Sequence, residues 1–173
     1  MSIHIIVDGY NLIRQSKSLR HLDQQSLELG RDALIASLAE YKRLKPHKIT
    51  VVFDGPHAPY PAPSKDQVKG IRILFSRGSQ SADGVIIGMA RAEREKALVV
   101  SSDREVVRSA ETFGAATINV ESFENKIALA VEMREFSADR DDPEGWKPTT
   151  KKKGPRRRLS KRKRRNRNKI KKL

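Results

Sequence analysis

Short apolar runs rich in β-branched residues alternate with amphipathic stretches along the first 136 residues of this 173-residue chain. Runs of this length and composition are typical of strands that are buried on both faces. Strands that alternate with helices form a parallel sheet with helices on both faces. The sequence therefore predicts an α/β fold with a parallel sheet of about five strands, at residues 3–7, 49–53, 71–75, 97–101 and 115–120.

The stretches between these runs show helical spacing and helix boundary signals. Ser81 is a suitable N-cap for one helix, and Gly114 suits the position just beyond the end of another. The segment 56–64 contains four prolines and is predicted to be a loop. The predicted helices cover residues 25–45, 81–95, 103–113 and 122–136.

Charge divides the chain into two parts. Residues 1–146 hold 20 Lys and Arg against 21 Asp and Glu, whereas residues 147–173 hold 16 Lys and Arg and no acid. A segment with so much like charge and so few apolar residues cannot bury a core by itself. We therefore expect a domain at residues 1–137, an acidic and polar linker at 138–146, and a disordered basic tail at 147–173. Since the helical pattern ends near Phe136, we also expect the fold to survive removal of the tail.

Composition excludes several classes of site. The chain has no cysteine, so it forms no disulfide, thiolate zinc site or thiol nucleophile. It has no glycine-rich phosphate loop, which argues against a nucleotide cofactor. No apolar run approaches the roughly 18–20 residues of a membrane span, and no secretory signal is visible. We expect a soluble, cytoplasmic protein that makes no membrane contact.

Four aspartates form the candidate functional site. Asp8 and Asp54 end the first two strands, Asp103 follows the fourth, and Asp83 lies in the first turn of the helix before it. Ligands of α/β sheets bind at the carboxyl ends of the strands. Carboxylates that converge there repel one another until a cation binds, and oxygen ligands favour Mg²⁺ or Mn²⁺. Such an ion supports phosphodiester hydrolysis.

Other polar residues flank these acids. Asn11 is placed to hold a carboxylate or a substrate phosphate, and Ser101 and Ser102 to orient metal-bound water. Each aspartate also has a structural interpretation, because Asp-Gly turns and Asp at helix starts are common. Of the four, Asp54 is the one that we expect to act through another group rather than on the metal. His4 is predicted to be a hydrogen-bonded core or edge residue.

Four segments together resemble a known family. IVDGYNLI at residues 6–13 resembles the opening motif of NYN domains, a branch of the PIN-like nuclease superfamily. VVFDG at 51–55, SAD at 81–83 and VVSSD at 99–103 follow in the order and approximate spacing of the bacterial YacP-like group. The resemblance covers about residues 3–136.

The resemblance implies a three-layer α/β/α fold with strand order 3-2-1-4-5. It also implies a metal-dependent endoribonuclease, with one or two Mg²⁺ or Mn²⁺ ions, that acts on mRNA in association with ribosomes. By position, Asp8, Asp83 and Asp103 match the metal-binding acids, Asn11 the motif asparagine, and Asp54 a further catalytic acid. One difference is that relatives often carry another acid one turn into the helix after Asp83, whereas residues 84–88 here are Gly-Val-Ile-Ile-Gly.

The tail is predicted to bind RNA. Lysines and arginines that neutralise phosphates release condensed counterions, and this drives binding to any polyphosphate backbone. The tail contains no aromatic residue, so base stacking is not expected and binding should be nearly independent of sequence. The candidate RNA-binding residues are Lys151, Lys152, Lys153, Arg156, Arg157, Arg158, Lys161, Arg162, Lys163, Arg164 and Arg165.

Two other functions remain open at this point. The missing helix acid favours a catalytically weak PIN-like factor that binds RNA or the ribosome. A metal-dependent phosphatase acting on small phosphoesters would use the same acids, but it leaves the basic tail without a role.

Overall fold

The computed structural model of the chain describes residues 3–55, 67–77, 79–138 and 160–173. These residues form a sheet with helices on both of its faces. The strands are β1 His4–Asp8, β2 Lys48–Phe53, β3 Gln67–Val68, β4 Ile71–Phe75, β5 Ala97–Val100 and β6 Ala116–Ile118. The helices are α1 Gly9–Gln15, α2 Arg20–Gln25, α3 Leu27–Leu44, α4 Ala82–Glu93, α5 Arg104–Thr112, α6 Val120–Ala138 and α7 Lys161–Ile170.

The strand order is β3-β4-β2-β1-β5-β6. All neighbours are parallel except β3, which pairs antiparallel with β4. The five parallel strands follow the predicted order 3-2-1-4-5, which confirms the predicted fold. The sequence did not reveal β3, because its turn to β4 has positive φ angles at Lys69 (50°) and Gly70 (80°). That turn geometry is usually signalled by Asn-Gly or Asp-Gly rather than by Lys-Gly.

Two cores lie on opposite faces of the sheet. On one face, Ile5 and Val7 of β1 pack with side chains of α1, α3 and α6. On the other face, Ile6 packs with Val99 and with side chains of α4 and α5. Successive strand residues point to opposite faces, so a strand that is apolar throughout supplies both cores.

The first helical region differs from the prediction in two ways. Residues 9–15 directly after β1 form α1, where no helix was predicted. The predicted helix 25–45 corresponds to α3, but the separate helix α2 before it was not predicted. Between the two, the Ser26 hydroxyl accepts a hydrogen bond from the Glu28 N–H as the N-cap of α3. Ser81 and Asp103 are the N-caps of α4 and α5, and Ser81 was predicted as such.

The described end of the tail also differs from the expectation of disorder. Within it, α7 leads to Leu173, whose side chain is 6% exposed and belongs to the core on the α3 and α6 face. The Tyr41 hydroxyl donates to the Leu173 carbonyl at 3.0 Å, and Ile170 packs against the same core. The core therefore does not end near Phe136, because two apolar residues at the chain end complete it.

Several predictions lie outside the described residues. They are the proline-rich loop within 56–66, the linker 138–146 beyond Ala138, and the tail residues 147–159, which include Lys151, Lys152, Lys153, Arg156, Arg157 and Arg158. None of the described helices is long and apolar enough to cross a membrane.

Candidate functional site

The four predicted aspartates line one open cleft at the carboxyl edge of the sheet. The cleft has a volume of about 380 Å³. β1 lies directly beside β5 in the sheet, which brings the ends of these two strands together. The cleft is lined by Asp8, Tyr10, Asn11, Arg14, Gln15, Asp54, Ser81, Ala82, Asp83 and Asp103.

Asp8 is the most buried of these acids, with 7% of its surface exposed. Its Oδ1 accepts a hydrogen bond from the Asn11 backbone N–H at 3.2 Å, so that Asp8 is the N-cap of α1. Its Oδ2 accepts from the Ser101 hydroxyl at 3.2 Å. Both carboxylate oxygens are therefore held in place by the protein.

Asp103 and Asp54 enter the cleft from different strands. The Asp103 Oδ1 accepts from the N–H groups of Glu105 and Val106, at 2.7 and 3.2 Å. The Asp54 Oδ1 accepts from the Ser76 hydroxyl at 2.8 Å, beyond the end of β4. Each carboxylate is thus oriented by one of its oxygens.

The Asp54 turn also needs a glycine at position 55. A Cβ at Gly55 would lie 1.9 Å from the Ser76 carbonyl oxygen. A glycine therefore follows Asp54 because the backbone at position 55 lies against Ser76, the residue that orients the Asp54 carboxylate.

Asn11 and the two serines connect α1 to the turn after β5. The Asn11 Oδ1 accepts from the Ser102 N–H at 3.0 Å and from the Gln15 Nε2 at 3.3 Å, which leaves the Asn11 amide NH₂ as its donor. The Ser101 hydroxyl, 1% exposed, donates to Asp8 and accepts from the Asp103 N–H at 3.1 Å. The Ser102 hydroxyl accepts from the Val120 N–H at 3.3 Å. In this structure, both serine hydroxyls form hydrogen bonds with other groups of the protein.

The electrostatics of the cleft disfavour so many negative charges. The pKa of Asp8 is raised to about 6, mainly by burial. Its hydrogen bonds to Asn11 and Ser101 lower this pKa, and the nearby Asp83 and Asp103 carboxylates raise it. The pKa of Asp83 is also raised. Partial burial is the largest cause, and the negative charges of Asp103, Glu105 and Asp54 raise the pKa further. The acids are therefore crowded in a way that a cation would relieve.

The donor set suits a hard divalent cation. Among the described residues, no group of three or more acidic or histidine side chains is already arranged to hold a metal ion. Mg²⁺ does not need such a cage, because it is usually held by one or two carboxylates and keeps several waters. The carboxylate oxygens of the cleft and the raised pKa values of Asp8 and Asp83 therefore fit a hard divalent cation such as Mg²⁺ or Mn²⁺.

Four residues near the cleft were missed by sequence reasoning. Tyr10, Arg14 and Gln15 lie on α1, and Arg14 and Gln15 follow Asn11 at steps of three and four residues. The Arg14 guanidinium carbon lies 5.5 Å from the centre of the Tyr10 ring. Recognising α1 as a helix would have revealed this shared face. Glu105, whose charge raises the pKa of Asp83, gave no signal beyond its place in the first turn of α5.

His4 lies at the opposite edge of the sheet from the cleft. It is 4% exposed, and its ring nitrogens lie 3.1 Å from Glu93 Oε1 and 2.9 Å from Thr50 Oγ1. This confirms the prediction of a hydrogen-bonded core residue.

Comparison with known proteins identifies similar chains. A family model described as a YacP-like NYN domain matches residues 5–172. A Bacillus subtilis protein described as "Uncharacterized protein YacP" is 33% identical over 88 residues, which is 51% of each protein. This chain therefore matches about half the length of that curated relative.

Solved structures show the same fold. A crystal structure of Rae1 (YacP) from Bacillus subtilis matches with a TM-score of 0.65 and 25% identity, over 80% of each chain. A mutant of the same protein matches with a TM-score of 0.64 and 23% identity, over 79% of this chain and 85% of the other.

Proposed function

Since the chain belongs to the YacP-like NYN domain family, a branch of the PIN-like nucleases, we propose that it is a metal-dependent endoribonuclease that hydrolyses RNA phosphodiester bonds. The observation that carries this proposal is the single cleft lined by Asp8, Asp54, Asp83 and Asp103. An open, polar cleft at a sheet edge admits a polymer strand, and this favours RNA over a small phosphoester as substrate.

Asp8, Asp83 and Asp103 would hold one or two Mg²⁺ or Mn²⁺ ions. Such an ion, when bound, polarises a phosphoryl oxygen and lowers the pKa of a bound water. The chain's own residues supply position and charge. Ser101 fixes the orientation of Asp8, and Asp103 is fixed by the first turn of α5.

Other residues of the cleft would bind the substrate. The Asn11 NH₂ is a donor for a phosphate oxygen, since its carbonyl oxygen already accepts two hydrogen bonds. Arg14 is the one cation among the described residues that line the cleft. Its guanidinium lies over the Tyr10 ring and suits a phosphate next to the one that is cleaved. Asp54 lies beside these groups and adds to the negative potential that attracts the cation.

A cleavage assay tests this function. A labelled single-stranded RNA is incubated with Mn²⁺ and the wild-type protein, Asp8→Asn or Asp103→Asn, with Asp32→Asn on the exposed face of α3 as the matched control. Asparagine is also a good N-cap residue, so both cleft variants should stay folded. We expect cleavage to fall by about 100-fold or more in the cleft variants and to stay unchanged in the control.

Equal cleavage by all four proteins would indicate a contaminating nuclease and would refute the proposal. Metal-independent RNA binding without any cleavage would support instead the catalytically weak RNA- or ribosome-binding factor. The absence of an acid at residues 84–88 is the observation that favours this second function.

The basic tail would add affinity for RNA, including the RNA of ribosomes in the cytoplasm. The described part of the tail, α7, lies near Glu95, which precedes β5, and His47, which precedes β2. These strand starts are at the edge opposite the cleft, so α7 would contact RNA away from the cleavage site.

Charge substitutions test the tail better than a deletion, because a deletion would remove the buried Leu173. Lys163, Arg164 and Arg167 are exposed. Changing all three to glutamine should lower RNA affinity and its salt dependence while leaving the core intact. Unchanged affinity at low salt would argue against RNA binding by α7.

A further inference from the structure

A second hollow lies beside the cleft at the same edge of the sheet. Its volume is about 370 Å³, which is more than enough for one nucleobase. It is lined only by polar side chains: Gln15, Lys17, Ser102, Asn119, Glu121, Glu124 and Asn125. Gln15 also lines the cleft, so the two spaces share a wall.

Ser102 connects the two spaces through its hydrogen bonds. The Ser102 N–H donates to the Asn11 Oδ1 on the cleft side, and the Ser102 hydroxyl accepts from the Val120 N–H at the start of α6. A single-stranded RNA with a phosphate in the cleft would therefore place a neighbouring nucleotide at the hollow. No aromatic residue lines the hollow, so a base there would be held by its edge rather than by stacking.

The hollow offers both hydrogen-bond acceptors and donors, and its two carboxylates, Glu121 and Glu124, outnumber its one cation, Lys17. One N–H of the Gln15 Nε2 donates to Asn11, and the Gln15 carbonyl oxygen is an acceptor. Glu121 is an exposed carboxylate in the first turn of α6. The Asn119 Oδ1 accepts from the Ser122 N–H at 2.9 Å, so the Asn119 NH₂ is the donor. Lys17 is exposed at the rim and carries the positive charge that a phosphate needs.

We propose that this hollow binds the nucleotide next to the cleaved phosphate and selects a base with an exocyclic amino group over uracil. Adenine, cytosine and guanine each present an amino donor, which a carboxylate or a carbonyl oxygen accepts. Uracil presents two carbonyl oxygens and a single N–H, and its oxygens would face Glu121. This inference rests on the proposed nuclease function and adds a specificity-determining site to it.

The test uses RNA with randomised positions on both sides of one cleavage site, followed by sequencing of the products. The variants are Glu121→Gln and Lys17→Ala. The matched controls are Glu28→Gln, in the first turn of α3, and Lys96→Ala, at the opposite edge of the sheet. All four residues are exposed.

We expect the wild type to disfavour uracil by about 3- to 10-fold at one flanking position, the size of one or two net hydrogen bonds. Glu121→Gln should relax this preference at that position alone, because glutamine also donates to a carbonyl oxygen. Lys17→Ala should raise KM for all bases alike and leave kcat unchanged. Both controls should behave like the wild type.

The inference is overturned if the wild type shows no base preference at the flanking positions, or if Glu121→Gln and Glu28→Gln give the same profile. If the wild type cleaves no RNA at all, the proposed function fails, and the base preference of the hollow is then tested by RNA binding alone. Labelled hexamers of cytidine and uridine are then compared in EDTA by fluorescence anisotropy. Equal affinities would overturn it, and tighter binding of the cytidine hexamer that is lost in Glu121→Gln would support it.

Discussion

Replacing Ser101 by alanine should destabilise the protein and reduce cleavage. The Ser101 hydroxyl is buried, donates to the Asp8 carboxylate at 3.2 Å and accepts from the Asp103 N–H at 3.1 Å. A hydrogen bond to a charged group contributes about 1.5–3 kcal/mol, and one between neutral groups about 0.5–1.5 kcal/mol. We therefore expect a loss of about 2–4 kcal/mol in the free energy of unfolding. For a chain of this size that corresponds to roughly 5–15 °C in Tm.

The measurement is urea unfolding followed by far-UV circular dichroism at pH 8. At that pH Asp8 is ionised, because its pKa is raised only to about 6. Ser26→Ala is the control, since the Ser26 hydroxyl has one bond at 3.2 Å, is half-buried and lines neither the cleft nor the hollow. It should lose about 0.5–1 kcal/mol.

The same two variants are compared in the cleavage assay. A residue that orients a metal ligand typically contributes about 10- to 100-fold to activity, and we expect this loss for Ser101→Ala alone. If the two variants unfold at the same urea concentration and cleave RNA equally, the assignment of Ser101 as the residue that positions Asp8 is refuted.

Three further predictions concern other parts of the molecule. Removing the buried Leu173 by deleting residues 171–173 should lower the free energy of unfolding by about 2–4 kcal/mol, measured by urea titration; an unchanged midpoint would mean that α7 does not complete the core. Arg14→Ala should weaken RNA binding and reduce the log–log salt slope by about 0.7, the share of one phosphate on a single strand, whereas Lys96→Ala should match the wild type in anisotropy titrations. Burial lowers the pKa of His4 below 6.5, so in the unfolded state this residue takes up its proton at a higher pH, and stability is lost as pH falls below about 6.5. Asp8, with its raised pKa, acts in the opposite direction, so the test is the difference between the wild-type and His4→Gln stability curves from pH 7 to 5, and parallel curves would contradict it.

Much of the fold could be predicted because its signals are local. The runs that became β1, β2, β4, β5 and β6 are buried and apolar on both sides, and their order followed from the family resemblance. Ser81 and Gly114 marked helix boundaries through the chemistry of single residues. The helix α1 was missed because Asp8-Gly9 is also typical of a turn, although Asp8 is in fact the N-cap of this helix.

The end of the chain shows the limit of compositional reasoning. A segment with 16 cations and no acid in 27 residues is expected to stay unfolded. In the described part, Ile170 and Leu173 nevertheless pack on the core, and Arg165 pairs with Glu95. The contacts of two apolar residues and one acid therefore order a segment that its composition predicts to be unfolded. These contacts cannot be identified before the fold is known.

By itself, the sequence determined that acidic residues would follow the strands of a parallel sheet, since residue type and strand period are both local properties. Only the tertiary structure decided which groups hold them. Ser101 positions Asp8 across 93 residues of chain, and Ser76 positions Asp54 across 22. The same holds for the hollow beside the cleft, whose walls come from α1, the turn after β5 and α6. Hydrogen bonds and cavities of this kind depend on the distance between atoms in space, which no spacing along the chain encodes.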